Sequence, residues 1–417
     1  METKIYIVLS ALYFVLGIIS VCNFTFKDFG LKSFILLTVL LPITKFTTNF
    51  HIIFQVSIYY YFFIGVCIIF LLKAAKNNIN KKVLQGTTIV FSMLFFYCIH
   101  FLLFVDKNSV EAINVLKDIK PFILIILAYF FIEHYKERLS KILTRKFCNW
   151  VLILNFIVCS VFFYLMVRYQ IHLSLTDDPY YKFEETRLET LGAYFGLFYL
   201  LFLILNRIKP KIKEVVFSII PLLYTGNRTL IFAALLVVVI YFLLRASIKR
   251  IILFFSMVTV FLSGLIYMVL RAAEESPLFR FKKLLEPEYI EYALLNRFSP
   301  FIDAAKSFNF SEFIVGKGLG FAFFIPWFEW RENIKNFNIY IDNLYLTLYA
   351  KFGVFSILFF FILFMFLNNY LKSKTALFYF IFILFISITN AFIYQYNFLW
   401  ILLMFVIPFN PLLSKQK

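Results

Sequence analysis

The sequence predicts an all-α, polytopic integral membrane protein with about 12–13 transmembrane helices and one large outward-facing helical loop. Hydrophobic residues make up 62% of the 417 residues and charged residues 15%, whereas soluble domains have roughly 45–50% and 25%. Apolar runs of about 20 residues recur along the chain, the length that crosses a hydrocarbon core of ~30 Å. From Ile52 onward, the acidic residues lie only in the gaps between these runs.

The apolar runs form a single predicted membrane domain that covers residues 1–417. The first 50 residues are ambiguous, because Pro42 and Lys45 interrupt the second run. In chain order, the predicted spans lie near residues 5–22, 31–48, 52–72, 87–105, 121–135, 150–167, 190–206, 215–225, 229–244, 251–270, 344–367, 376–393 and 397–412.

Charge separates the gaps into two alternating sets. One set contains 20 basic and only 3 acidic residues, and the other contains 15 basic and 18 acidic residues. Basic loops are retained on the cytoplasmic side of a membrane, so the second set, which includes 106–118, 168–190 and 271–342, is predicted to face outward. The net charge of +18 therefore comes mostly from the loops that are predicted to face the cytoplasm. It gives little support to nucleic-acid binding.

Arg228 lies inside an apolar region, where an ionisable side chain is a functional candidate by default. If residues 215–244 formed one helix, that helix would be ~45 Å long, which is more than a bilayer needs. We therefore predict a break at Pro221 and Gly226 and a new helix near Arg228, capped by Asn227. A helix N-terminus beside a guanidinium suits phosphate oxygens. The alternative is an arginine that reaches lipid headgroups.

The large loop, residues 271–342, contains nine basic and ten acidic residues, and loops of this length are usually functional. Apolar spacing predicts two short amphipathic helices, 289–295 and 298–308, that lie over the membrane surface and roof a cavity. Arg280 and Arg297 are candidates for binding phosphate, because arginine favours bidentate contacts. The alternative is that they are solvated charges or salt-bridge partners.

The same loop contains Gly316-Lys317-Gly318-Leu319-Gly320. It lacks the order of a Walker phosphate loop, and we interpret it as a tight turn that re-enters toward the membrane. None of the four histidines lies in the large loop. Their positions argue against a histidine-based metal site or base there.

Asp342 and Asn343 open the predicted helix 344–367. Asp342 is either the N-cap of that helix or a carboxylate at the floor of the outer cavity, where it would act as general base toward a sugar hydroxyl. Asn343 is a substrate-binding candidate beside it. Lys351 lies nine residues after Asp342, which is about 13 Å deeper at the rise per residue of an α-helix. It either neutralises a buried lipid phosphate or pairs with an acid that the sequence does not identify.

Arg187 lies near the end of the smaller outward loop, residues 168–190, just before the span that begins near Leu191. This position would let it join the same cavity. Asp177 and Asp178 in that loop are only a weak metal signal, because paired acids in loops are usually solvated.

Together these elements resemble the bacterial O-antigen ligase and polymerase superfamily, and within it the repeat-unit polymerases of the Wzy type. The family has a Thr-Gly-Ser-Arg-like element that ends a short span, similar to 225–228 here. It also has a long outward loop with an arginine, a helix and a Gly-x-Gly turn, similar to Arg297 and 316–318. Last, a polar residue and an asparagine open the next span, with a glycine one to two turns later, similar to 342–343 and Gly353.

The resemblance implies glycosyl transfer at the outer face of a bacterial inner (plasma) membrane, in O-antigen or capsular polysaccharide biosynthesis. Donor and acceptor would be glycans on undecaprenyl pyrophosphate, with membrane lipids around the enzyme and a chain-length regulator protein as partner. Arg187, Arg228 and Arg297 would hold the pyrophosphate and stabilise the charge that develops as it leaves. Asp342 would orient or deprotonate the acceptor hydroxyl. No metal and no cofactor is expected, since arginines neutralise the pyrophosphate.

Two alternatives stay open. An O-antigen ligase typically has histidine where this chain has Asp342, and the difference favours a polymerase. A flippase or similar transporter of lipid-linked oligosaccharides usually shows internal repeats and charged residues deep in several spans, and neither is evident in the sequence.

Overall fold

The fold is described from a computed structural model of the chain. It describes residues 2–22, 27–42, 57–74, 111–169, 188, 190–225, 228–245, 297–325, 337–394 and 397–408, with scattered helical residues in 88–103 and 252–271.

The described part of the chain is mostly helical. Its helices are Glu2–Val21, Lys27–Leu40, Tyr60–Ala74, Ala112–His134, Lys136–Ile142, Arg145–Tyr169, Leu191–Leu205, Ile212–Tyr224, Arg228–Arg245, 297–305, Phe310–Val315, Leu344–Phe352, Ser356–Tyr370, Ser373–Ser387 and Asn397–Val406.

Within the described ranges, three helical stretches are long and apolar enough to cross a membrane: Lys4–Val21, Arg145–Met166 and Leu344–Tyr370. Shorter apolar helices accompany them, at Tyr60–Ile69, Leu191–Leu205 and Ser373–Ser387. These stretches agree with the membrane character that the composition predicts. The number of passes, the sidedness and the single-domain boundary stay predictions.

Close packing joins the first predicted span to the third. A Cβ atom added to Gly17 would strike the backbone carbonyl of Phe62, so only glycine permits this approach of two helices. Phe62 also stacks on Phe34, with ring centroids 3.7 Å apart, and Trp400 lies 5.3 Å from Phe34. Aromatic side chains thus join the N-terminal helices to the last helix in one apolar core.

Three local predictions need correction. Pro221 lies inside helix Ile212–Tyr224 and does not break it at that residue; it removes one backbone hydrogen bond, and the helix ends three residues later, at Tyr224. The predicted helix 344–367 is interrupted by a 3₁₀ turn, Gly353–Phe355. The large loop is not purely helical, since Phe323–Phe324 pairs antiparallel with Phe337–Asn338. These aromatic residues favour extended backbone.

Two local predictions are confirmed. A new helix does begin at Arg228, after the preceding helix has ended at Tyr224. Residues 297–305 are helical, as the spacing in 298–308 predicts, whereas the predicted helix 289–295 lies outside the described residues.

Candidate functional site

A buried ion pair lies at the centre of the candidate site. The ammonium group of Lys351, on helix Leu344–Phe352, lies 2.5 Å from the carboxylate of Asp118, on helix Ala112–His134. Both side chains have 0% exposure. Of the two alternatives for Lys351, pairing with an acid is therefore confirmed. The sequence did not identify Asp118, because that residue ends an acidic gap, 106–118, which was interpreted only as a mark of sidedness.

The glycine loop, residues 316–320, covers this buried pair. The backbone N–H of Gly320 donates to the Asp118 carboxylate at 2.6 Å. The N–H groups of Lys317 and Gly318 donate to the carbonyls of Ala350 and Lys351, at 2.8 and 2.7 Å. The loop therefore satisfies backbone carbonyls that the helix leaves open where it ends at Phe352.

The loop needs glycine for two reasons. Gly316, Gly318 and Gly320 have φ angles of 85°, 84° and 85°, which other residues rarely adopt. In addition, a Cβ atom on Gly316 would collide with the backbone of Lys351 and Phe352. The prediction of a tight turn is confirmed by this geometry, whereas its re-entry toward the membrane stays a prediction.

A second cluster forms where helix Leu344–Phe352 begins. Asn343, and not Asp342, is its N-cap: the Asn343 side chain accepts a hydrogen bond from the N–H of Leu346 at 3.0 Å. Its amide group also donates to the carbonyl of Ile388 at 3.0 Å. Asn343 is buried and both ends of its amide are engaged. Asp342 lies one residue before the cap, and its side chain is exposed.

The helix that begins at Arg228 reaches the same place. The hydroxyl of Thr229, in its first turn, lies 2.7 Å from the hydroxyl of Thr389. Ile388 and Thr389 belong to one stretch, the 388–394 segment, which follows helix Ser373–Ser387. Two helix N-termini that the sequence singled out therefore converge on this segment.

The 388–394 segment also extends to the buried pair. The Lys351 ammonium group lies 5.3 Å from the centre of the Tyr394 ring, a distance at which a cation and an aromatic face attract. Tyr340, from the end of the large loop, stacks on Tyr394 with ring centroids 5.0 Å apart. One segment thus touches the buried pair, both helix starts and the large loop.

The remaining predicted site residues are less completely described. Arg297 is half-buried at the start of helix 297–305, and Phe301 of that helix meets Tyr349 at a centroid distance of 6.0 Å. The residues that lie outside the described part are Arg187, Arg280, Asn227 and the side chain of Arg228.

A family model described as a family of unknown function, DUF6369, matches residues 4–416. The chain belongs to this family. No curated protein and no solved structure matches the chain. The region that the DUF6369 model covers includes both partners of the buried pair, the glycine loop and the 388–394 segment.

His100 contacts the large loop of this DUF6369 chain although it is not part of the loop in sequence. The histidine lies in another predicted span, yet its ring nitrogen Nε2 is 2.5 Å from the carbonyl of Val315, in the large loop. Its ring also packs against Phe352 at 5.5 Å. Position in the sequence was therefore a poor guide to whether a histidine reaches the loop. Nε2 donates to the carbonyl, so the contact positions the loop.

The large loop of the DUF6369 chain also has an ion pair beside the glycine loop. Lys317 lies 2.6 Å from Glu312, and the N–H of Asn309 donates to the same carboxylate at 2.8 Å. Partial burial raises the pKa of Glu312, but these two hydrogen bonds outweigh it, so the net pKa is lowered. Among the described residues, no three histidine, cysteine, aspartate or glutamate side chains meet to hold a metal ion.

Proposed function

We propose that the chain is a multi-pass polysaccharide polymerase of the bacterial inner membrane. It would join oligosaccharide repeat units carried on undecaprenyl pyrophosphate. The observation that carries the proposal is the convergence of two helix N-termini on the 388–394 segment. A helix N-terminus offers free N–H groups and positive potential to phosphate oxygens. The helix beginning at Arg228 would thus receive the pyrophosphate, and the turn at 342–343 would lie beside it.

The chemistry needs an acceptor hydroxyl, a glycosyl donor and a place for one proton. The acceptor oxygen attacks the anomeric carbon of the donor, the bond from that carbon to the pyrophosphate breaks, and the hydroxyl proton passes to a base. Asp342 is the proposed base, because it is an exposed acidic residue and the neighbouring Asn343 performs the capping. Arg228, with Arg187 and Arg297, would stabilise the negative charge on the departing pyrophosphate.

The buried pair would have a positioning role in this enzyme. Lys351 lies two turns after Asn343 on the same helix, and its bond to Asp118 ties that helix to Ala112–His134. The pair would therefore keep the turn at 342–343 in register with the 388–394 segment without touching substrate.

The test is a surface-glycan ladder from cells that lack this protein, complemented with wild type, Asp342→Ala or Asp303→Ala. Asp303 is a matched control, since it is an exposed acid of the same large loop. A polymerase predicts that deletion leaves single repeat units and that wild type and Asp303→Ala restore the ladder. Asp342→Ala should fail at normal protein level. An unchanged ladder after deletion would refute the proposal.

A second candidate function, transport of lipid-linked oligosaccharide, is favoured by one observation. The apolar stretch Leu344–Tyr370 is interrupted by Gly353–Phe355 next to a fully buried acid–base pair. Broken helices and intramembrane charges are common in transporters. Repeat units stranded on the cytoplasmic face after deletion would favour a transporter, whereas single units displayed on the outer surface would favour the polymerase.

A further inference from the structure

The short helix Phe310–Val315 lies beside the break in the apolar stretch Leu344–Tyr370. A Cβ atom added to Gly353, at the break, would strike the carbonyl of Ile314, so the two backbones are in direct contact. Gly316, at the end of the short helix, is equally close to the backbone of Lys351. These contacts set the position of the short helix along the membrane stretch.

With Leu344–Tyr370 crossing a bilayer, that position would lie below one edge of the hydrocarbon core. Leu367 is the last apolar residue before Asn368 and Asn369, so it marks the opposite edge. A core of ~30 Å takes about 20 residues of helix and therefore extends back from Leu367 to about residue 348. Gly353 lies about five residues inside this limit, or roughly 8 Å at 1.5 Å per residue.

One face of the short helix is apolar and uncovered. Phe310, Phe313 and Ile314 are 81%, 38% and 40% exposed. Spacing of i, i+3 and i+4 places these three residues on the same side of a helix. Next to them, Val354 of the 3₁₀ turn and Ile357 of the following helix are also exposed, so the uncovered face continues along the membrane stretch.

The opposite face of the short helix is polar. Glu312 lies about 160° from Phe310 around the helix axis, and its carboxylate is engaged by Lys317 and by the N–H of Asn309. The segment thus has an apolar side, a charged side whose carboxylate is satisfied within the loop, and a depth near a membrane boundary. These are the properties of an interfacial helix.

We propose that Phe310–Val315 is an interfacial helix whose apolar face lies in the acyl chains of one leaflet. Its occupant is membrane phospholipid, because the face continues onto the exposed side of a helix long enough to span the bilayer. The large loop is therefore anchored in the leaflet as well as on the protein. This proposal rests on membrane insertion of the chain and not on glycosyl transfer.

The experiment compares Phe310→Cys and Ile314→Cys with Lys306→Cys in purified full-length protein in phosphatidylcholine nanodiscs. The Lys306 side chain, in the same loop, is 72% exposed, and wild type gives the background from the five native cysteines. All three sites are on the protein surface, so the variants should fold. A water-soluble maleimide should label Lys306→Cys at least about tenfold faster than the other two, because thiolate forms poorly in hydrocarbon.

The second readout is fluorescence of bimane attached to the same cysteines. Phospholipid with a doxyl group high on its acyl chain should quench bimane at Phe310→Cys and Ile314→Cys, and leave bimane at Lys306→Cys bright. Equal labelling rates, or no quenching, would overturn the proposal. Rapid labelling that is slowed only by added polyprenyl phosphate would also overturn it, because the occupant would then be a polyprenyl chain instead of bulk phospholipid.

Discussion

Two of the ion pairs that join distant parts of the described chain differ in how far the cation is removed from solvent. In the buried pair, Lys351 and Asp118 are both fully enclosed. In the second pair, the side chain of Glu214 is 1% exposed, but that of Arg145 is 37% exposed, and its guanidinium also donates to the carbonyl of Lys209.

The difference concerns what happens when one partner is lost. Arg145 without its acid can be hydrated where it stands, whereas Lys351 without its acid is an uncompensated charge in a dry interior. The dry pair is therefore a requirement of the fold, and the half-solvated pair is an aid to it.

The largest effect is expected for Lys351→Ala. It leaves the Asp118 carboxylate buried with no cation, and breaking a buried pair in this way costs about 3–5 kcal/mol. We expect the temperature of half-unfolding of the purified protein in detergent to fall steeply, or the protein to be degraded in cells. Wild-type stability of this variant would contradict the need for a cation beside Asp118.

The double variant Asp118→Leu/Lys351→Met is the matched control. Replacing both charges with apolar residues of similar volume is often neutral or stabilising, so stability should recover relative to Lys351→Ala. A double variant as unstable as the single one would mean that the hydrogen bond from Gly320 to Asp118, and not the unpaired charge, is what matters.

Gly316→Ala should have the next largest effect, about 2–3 kcal/mol. Gly316 has φ 85° and ψ 173°, a conformation almost restricted to glycine that costs other residues about 1–3 kcal/mol. The added Cβ would also push against the backbone of Lys351 and Phe352. The measurement is the same thermal unfolding, with the exposed Ser311→Ala on the adjacent helix as control. Equal stability of the two variants would contradict the tight approach.

Glu214→Gln should cost less, about 1–2 kcal/mol. The amide keeps the size of the side chain but loses charge-assisted hydrogen bonds from Arg145, at 2.7 Å each, while solvent compensates the half-exposed guanidinium. Arg145→Lys should also be weaker than wild type, because lysine cannot make the bidentate contact. A loss as large as that of Lys351→Ala would remove the distinction between the two pairs.

The smallest effect is expected for Lys306→Ala, which breaks the surface pair with Asp303, 2.8 Å long and mostly solvent-exposed. Exposed pairs contribute about 0–1 kcal/mol, so the unfolding temperature should stay within about 1–2 °C of wild type. A clear loss of stability would indicate that the large loop is packed more tightly than its exposure suggests.

Local chemistry explains what could be predicted from the sequence. The helix beginning at Arg228 follows from excess length and a glycine, and the turn at 316–320 follows from three glycines in five residues. The N-cap was misplaced by one residue, at Asp342 instead of Asn343, because both side chains can accept the capping hydrogen bond. Only the packing of Asn343 against Ile388 decides between them.

Long-range pairing could not be predicted. Lys351 was recognised as a buried charge in need of compensation, yet its partner lies 233 residues away. That partner, Asp118, lies in the gap 106–118, whose acidic residues were already accounted for as a sign that the gap faces outward. Nothing near Asp118 distinguishes it from other acids of the outward gaps. The contact of His100 with Val315 could not be predicted for the same reason, since it joins residues 215 positions apart.

The separation of Asp118 from Lys351 has a consequence for biogenesis. At roughly 5–20 residues per second, the ribosome needs about 12–47 s to make the 233 residues between them. During that interval the helix Ala112–His134 exists without the cation that pairs with Asp118 in the finished fold. The contact between this helix and Leu344–Phe352 is therefore necessarily a late step of assembly.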